Sequence, residues 1–272
     1  MSIALVTGAS SGMGKDTARR LLQLGYTVYA AARRIEQMQD LQAEGALLLK
    51  MDIARDEDIV AAVQQITGRH GGVDVLVNNA GFGLFGAVED LPLADARYQF
   101  EVNLFGMARL TQLLLPAMRA KGAGKIINLS SMGGRIYTPL GAWYHATKHA
   151  VEGWSDCLRL ELAAFGIDVV VIEPGVIATE FGAVMLEPLL KRSGDGPYRE
   201  LAHSVARATR QSYAKPETLS PPSVVVDAIA KAVQARRPAT RYVAGKFARL
   251  LMFVRKWFGD RAYDRLILSQ VK

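Results

Sequence analysis

Cysteine is nearly absent: Cys157 stands alone in 272 residues, so no disulfide can form within the chain. Its neighbours Trp154 and Leu158 read as a buried helix position. A lone thiol suits a reducing compartment, and a cytoplasmic protein is expected. Histidine is scarce, with four residues, and no Cys/His spacing resembles a metal site, so no metal is expected. No uninterrupted apolar run reaches the roughly 18 residues of a membrane-spanning helix. The first residues, MSIALVTGAS, lack a basic start and a long apolar core, so no secretion signal is expected. Internal repeats, low-complexity tracts and a linker are missing too, which points to one domain over residues 1–272. Acidic residues, 26 against 33 Lys and Arg, leave a formal charge of +7. That balance fits an anionic ligand, an anionic membrane surface or simply a solvated basic face. No nucleic-acid partner is expected.

What is present is globular material: 50% of residues are apolar, enough to bury a core without staples. Apolar runs rich in β-branched residues read as strands at Ile3–Thr7, Thr27–Ala32, Ala46–Lys50, Val73–Val77, Lys125–Leu129 and Asp168–Ile172. Between them Lys15–Leu24, Asp56–Arg69, Arg97–Met118 and Trp143–Phe165 have helical length and periodicity. Such alternation predicts an α/β fold, a doubly wound parallel sheet with helices on both faces. After Gly175 the pattern changes, and residues 176–222 read as a long mobile segment. Its part 178–220 is a candidate substrate lid. The run Ser193-Gly194-Asp195-Gly196-Pro197 is a turn signal, while Phe181, Met185, Leu186, Leu189 and Leu190 have helical spacing. A rigid helical insertion is the alternative. A helix (Pro222–Gln234), a short strand (Arg241–Ala244) and a basic, aromatic tail over 245–272 follow. The tail can pack on the domain, pair with another subunit or rest on a lipid surface, with packing as the first expectation.

The first strand runs into Thr7-Gly8-Ala9-Ser10-Ser11-Gly12-Met13-Gly14 and a helix opens near Lys15. Gly8 allows a tight turn, Gly12 lets the backbone approach a pyrophosphate, and Gly14 permits close helix–strand packing. The helix N-terminus adds free N–H groups for that anion. A glycine turn without a ligand is the alternative, which its place in the first βα turn argues against. The second strand ends at Ala31-Ala32-Arg33-Arg34. An acid there would bind a ribose diol, whereas arginine accommodates a 2′-phosphate, so Arg33 and Arg34 point to NADP over NAD unless they are merely solvated charges. Asp52 can accept from an adenine amino group or act as a plain helix N-cap before Asp56. Asn78-Asn79-Ala80-Gly81 closes the fourth strand, with the asparagines as strand-holding scaffold and Gly81 as clearance beside a ribose.

Tyr144 and Lys148 stand four residues apart, which puts both on one helical face. A lysine ammonium near a phenol lowers its pKa and fits it for proton exchange with a carbonyl or alcohol oxygen. Ser131, at the end of the fifth strand, can polarise the same oxygen. A chance surface pair is the alternative.

These segments together resemble the short-chain dehydrogenase/reductase family in its single-domain, NADP-preferring form. The motifs TGASSGMG at 7–14, NNAG at 78–81, VNLFG at 102–106, INLSS at 127–131, YHATK at 144–148 and EPG at 173–175 occur in the family's order. The resemblance implies a Rossmann-like sheet of about seven strands and a catalytic set of Asn103, Ser131, Tyr144 and Lys148. It implies that the Asn103 backbone carbonyl holds a relay water, and that Lys148 also binds the nicotinamide ribose. Pro174, Gly175 and Thr179 resemble the segment at the nicotinamide end. Candidate cofactor contacts also include Ser10, Ser11, Met13, Ile53, Ala80 and Ile177. One departure is Ser11, which stands where some NADP-preferring members have a basic residue. The implied activity interconverts a carbonyl and an alcohol with NADP(H). Hydroxysteroid- and retinol-type members suggest a bulky apolar substrate, and Trp143, Tyr137, Phe181 and Met185 can line its pocket or pack in the core. A homodimer or homotetramer is expected. A non-catalytic NADP-sensing protein on the same fold, or a membrane-surface scaffold, is the alternative.

Overall fold

A computed structural model describes residues 2–271. Seven parallel strands form one sheet in the order β3-β2-β1-β4-β5-β6-β7. They are β1 (Ile3–Thr7), β2 (Thr27–Ala32), β3 (Leu47–Lys50), β4 (Val75–Asn78), β5 (Gly124–Leu129), β6 (Ile167–Pro174) and β7 (Arg241–Ala244). Alternate residues along each strand feed opposite faces. Ala4, Val6, Val28 and Ala30 meet α1 (Gly12–Gln23), α2 (Gln39–Ala43) and α9 (Ser223–Gln234). Ile3, Leu5, Tyr29 and Leu76 meet α3 (Asp56–His70), α5 (Gly106–Lys121) and α6 (Ala142–Leu162). Because both faces are covered, the strands need continuous apolar runs, which is why the sequence displays them so plainly. β1 has β2 on one side and β4 on the other, so the order reverses there and a crevice opens beyond the carboxyl ends of these strands.

The helix expected over 97–118 is interrupted. It consists of α4 (Leu93–Phe100), a π-helical turn at Glu101–Phe105, and α5. The Gly106 N–H reaches back to the Glu101 carbonyl, and a Cβ on Gly106 would sit 1.9 Å from the Ile53 oxygen. Close approach at Gly106 fixes where the rod meets the sheet, and the wide turn before it carries Asn103.

Residues 176–222 contain two helices, α7 (Phe181–Ser193) and α8 (Arg199–Ala214). The apolar set at helical spacing forms a packed face: Met185, Leu186 and Leu189 join Val205 and Ala206 over Phe85. The Gly/Pro signal at 194–197 falls in the turn between the helices, so the breakers separate two helices rather than dissolve the segment. The tail is α10 (Ala248–Ser269), broken at Gly259, whose φ of 74° and ψ of 179° are non-helical. Its second half buries Tyr263 and Ile267 on Ile136. Cys157 is exposed, contrary to the expectation of a buried position, because α6 turns Ser155 and Leu158 inward and leaves Cys157 on its outer face. Among the described residues no helix is long and apolar enough to cross a membrane.

Candidate active site

The crevice at the switch point has a volume of about 1380 Å³. Its floor is the loop between β1 and α1. The Thr7 hydroxyl accepts from the Asn79 and Ala80 N–H groups, each at 3.0 Å, and the Asn79 amide donates to the Thr7 carbonyl at 2.9 Å. Asn79 thus braces the glycine loop from β4. A Cβ on Gly14 would lie 2.3 Å from Asn79 Nδ2 and 2.4 Å from the Gly8 oxygen, so only glycine lets α1 start this close to the sheet. Ser11 precedes α1 in extended conformation with no side-chain cap, which leaves the first-turn amides without a side-chain acceptor. Gly8, Ser10, Ser11, Gly12, Met13 and Gly14 all line the crevice. This cradle suits a pyrophosphate.

Arg33 and Arg34 line the same crevice beyond buried Ala32, and both are exposed. Arg33 Nη1 donates to the Tyr98 hydroxyl at 3.2 Å. Neither arginine has a carboxylate partner among the described residues. Lys15, which sequence reasoning passed over, lines the outer mouth with Arg34 and is held by Asp40 at 2.8 Å. Asp52, Ile53, Asn79, Ala80 and Gly81 form the far wall. Asp52 is not the N-cap of α3. That place belongs to Arg55, while Asp52 Oδ1 accepts from the Ala54 N–H at 3.0 Å. Asp52 closes a local turn because its chain leaves β3 too far ahead of the helix to cap it.

Beyond Gly81, behind the residues that line the crevice, lie Asn103, Ser131, Tyr144 and Lys148, the set that the family resemblance offers as catalytic. The Asn103 side chain accepts from the Phe82 N–H at 3.0 Å and donates to the Phe82 carbonyl at 2.9 Å and to Thr147 Oγ1 at 3.1 Å. Its amide is therefore wholly engaged in joining the π turn to α6. A Cβ on Gly81 would come 3.1 Å from Asn103 Oδ1 and 3.8 Å from Lys148 Nζ. Buried Lys148 donates to the Leu129 carbonyl at 2.8 Å. Burial pulls its pKa down to about 8, against the opposing pull of Glu152.

Ser131 lies two residues beyond β5, and its hydroxyl accepts from the Gly133 N–H at 3.0 Å. Burial pushes the Tyr144 phenol up to about 12; the Ser131 hydroxyl works the other way and Tyr213 adds to the rise. The lowering of this phenol by Lys148 that the spacing suggested is not found. The ammonium turns to the Leu129 carbonyl, and withdrawal of the phenol from water dominates. The cover comes from two elements: the Tyr144 ring centroid lies 5.4 Å from Phe85 and 5.5 Å from Phe181 at the start of α7. His145 is structural, its Nδ1 bonded to the Gly133 carbonyl and its Nε2 accepting from the Thr138 N–H.

Thr179, Phe181 and Met185 line the crevice, with Ala178 and Tyr213. Pro174, Gly175 and Ile177 do not. Gly175 is pressed against the Lys246 carbonyl, and the Ile177 side chain lies in the core, so only backbone atoms there could face a ligand. Trp143 packs with Leu84, Leu91 and Ala96, and Tyr137 with Tyr263, so both serve packing. Thr147, Tyr98 and Tyr213 were missed by sequence reasoning, since each meets its partner across 44 to 69 residues and carries no local signal.

A profile of the short chain dehydrogenase family matches residues 2–188. The 3-ketodihydrosphingosine reductase of Bacteroides thetaiotaomicron is 40% identical over 179 residues, 66% of this chain and 65% of that one. The NADPH-dependent 3-dehydrocapnine reductase of Ornithobacterium rhinotracheale is 31% identical over 286 residues, 100% of this chain and 98% of that one. Among solved structures, a short-chain dehydrogenase from Streptomyces avermitilis superimposes with a TM-score of 0.82 at 35% identity, over 94% of this chain and 92% of that one.

Proposed function

The chain belongs to the short-chain dehydrogenase/reductase family, and from that premise we propose that it interconverts a ketone or aldehyde and an alcohol, with NADP(H), on a bulky apolar substrate. The observation that carries this reading is the Tyr144 ring packed on Phe181, which belongs to an apolar crevice wall with Val184 and Met185, while Lys148 lies buried one helical turn further along. Arg33 and Arg34 would hold the 2′-phosphate, the β1–α1 loop the pyrophosphate, and Lys148 the ribose next to the nicotinamide. When bound, the reduced nicotinamide supplies a hydride. A carbonyl carbon that accepts it leaves negative charge on oxygen, to which the Tyr144 phenol gives its proton while Ser131 donates a hydrogen bond. Lys148, easily deprotonated for a lysine, can return a proton toward the phenol, with Asn103 keeping the π turn in place beside it. The covering helices α7 and α8 exclude water from this exchange.

Relatives named for keto groups on a sphingosine and on capnine support an amphiphilic substrate with a long apolar part. Exposed Leu93 and Phe105 along the α4–α5 rod support a homodimer or homotetramer, which light scattering reads. The exposed free thiol of Cys157 favours a reducing, cytoplasmic setting.

The test is oxidation of NADPH, followed by its absorbance, against a panel of short and long-chain ketones. Tyr144→Phe is expected to lower turnover by ~10²–10⁴-fold while leaving NADPH affinity, measured by calorimetry, nearly unchanged. Near-normal turnover in that variant would remove the mechanism.

A further inference from the structure

The segment Lys246–Phe258 reads KFARLLMFVRKWF and holds four cations and no acid. In α10 its residues divide sharply by face. Ala248, Leu251 and Met252 turn toward the domain, and Leu251, Met252 and Val254 pack with Ile136 and Tyr263. Leu250, Phe253 and Trp257, spaced three and four apart, share the opposite face. These three are 59%, 53% and 66% exposed, and Phe258 beside them is 64% exposed. The Phe253 ring stacks against Trp257 at 6.4 Å and Phe258 at 6.1 Å, so a cluster of aromatic rings stands in solvent. Arg249 and Lys256 border it, Lys256 lying 5.1 Å from the Trp257 ring centre, and neither has an ion pair among the described residues. The other two cations are engaged: Lys246 with the Glu217 carbonyl, Arg255 with Asp260 and over Tyr137.

This is not a loose tail. After the break at Gly259, buried Tyr263 bonds the Tyr137 carbonyl at 3.0 Å, and Tyr137 donates to Asp264 at 2.8 Å. Both halves of α10 are thereby fixed to the chain that follows Ser131. A helix anchored by one face that shows the solvent apolar rings flanked by cations has the pattern of an interfacial helix. Indole rings suit the headgroup level, and the cations suit an anionic leaflet. A second copy of the chain is the poorer occupant. Two-fold pairing through this stripe would set Arg249 and Lys256 against the same residues of the other copy, with no acid within the segment to offset them.

We propose that the outward face of α10, Leu250, Phe253, Trp257 and Phe258 with Arg249 and Lys256, seats this protein on an anionic lipid bilayer. α10 follows the carboxyl end of edge strand β7, and Val271 packs with the Phe85–Met185 cluster over Tyr144. The docked bilayer therefore lies toward the end of the sheet where the crevice opens. Only its use for delivering an amphiphilic substrate rests on the proposed function; docking does not.

The test is flotation of the full chain with vesicles of phosphatidylglycerol and phosphatidylcholine, and with phosphatidylcholine alone. Binding is expected to the anionic vesicles, to weaken at high salt, and to shift Trp257 emission to the blue. Phe253→Ser with Trp257→Ser should abolish it. Arg249→Gln with Lys256→Gln, a milder pair that keeps the aromatic cluster, should lower partitioning roughly fivefold per cation. Melting temperature and NADPH affinity should be unchanged in both variants. Failure of the wild type to float with anionic vesicles overturns the proposal. So does equal flotation of either variant, or loss of a dimer in Phe253→Ser/Trp257→Ser without any lipid binding by the wild type, which would give the stripe to a second copy. Because flotation needs no turnover, a failed ketone screen leaves this result standing.

Discussion

Arg33 leaves β2 with one guanidinium nitrogen on the Tyr98 hydroxyl and the rest of its fork facing the crevice. Tyr98 restricts the side chain before any ligand arrives, which lowers the entropy lost when a phosphate is gripped. A charge-assisted contact of this kind contributes about 1.5–3 kcal/mol. Arg33→Ala should therefore weaken NADPH roughly tenfold or more and leave NADH nearly unchanged, as calorimetry with both cofactors reads. An unaltered ratio between the two in wild type and variant would assign phosphate selection elsewhere, with Arg34 and Lys15 next in line. The candidates that local sequence picked out were the arginines at a strand end, Tyr144 and Lys148 by their spacing, and Ser131 just after β5. Tyr98, Thr147 and Tyr213 were not among them. Each acts on a residue that folding alone brings near, as when Thr147 receives the amide of Asn103 at 3.1 Å.

The elements β6 and α6 meet behind Lys148 in a buried cluster of charge. Glu173, near the end of β6, lies against Glu152 of α6 and between two guanidinium groups, Arg135 at 3.7 Å and Arg241 at 3.5 Å. Arg241 also holds Asp156 of α6 at 2.6 Å. Burial pushes the Glu173 carboxyl up to about 7, and Glu152 pushes the same way, outweighing both arginines. A carboxyl raised in the folded state stabilises most below the ordinary carboxylate range, and that contribution is lost as pH climbs through its folded pKa. Glu173→Gln keeps the shape of the protonated acid and cannot ionise. Its melting temperature should match the wild type near pH 4.5 and exceed it at pH 8, by on the order of 1–3 kcal/mol of stability. A constant difference across that range would show that Glu173 does not titrate there. Nothing in the sequence foretold this cluster, because Glu173 sits inside an apolar strand run and its partners lie on α6, on β7 and in the chain after Ser131. The same limit hid the π turn: periodicity identified a rod over 97–118, but the wide turn answers to the Ile53 carbonyl pressed on Gly106, a contact between distant segments.

At the scale of the molecule, a sheet covered on both faces needs continuous apolar strands, so six strands and a short final one could be read from the sequence, while the five-residue α2 between β2 and β3 could not. The segment over 178–220 obeys no such rule. It is a hairpin of two helices on the rim, and its glycines and proline spoke for mobility when they mark the turn between α7 and α8. Its hold on the rest of the protein includes apolar contact with Phe85, Leu140, Tyr144 and Val271, the Ala87 N–H on Ser193 Oγ at 2.9 Å, and the Arg192–Asp95 pair at 2.9 Å. Inside the hairpin the fit is tight, with the Tyr213 ring where a Cβ on Gly182 would come within 2.5 Å. Such an element moves as a unit more readily than it unfolds. Since Phe181 packs on the Tyr144 ring, a bulky substrate must displace it to reach the phenol. We therefore expect opening and closing of the hairpin to gate the site. Amides at the ends of α7 and α8 and in residues 176–180 and 215–222 should exchange faster in the free protein than in its complex with NADP and an alcohol. Those of β4 and β5 should not change. The variant Arg192→Ala, which frees one tether, should raise exchange of the hairpin in the free protein and raise KM with little effect on Tyr144 chemistry once saturated. Equal and strong protection of the hairpin with and without ligands would mean a fixed insertion, with substrate entering along the crevice floor instead.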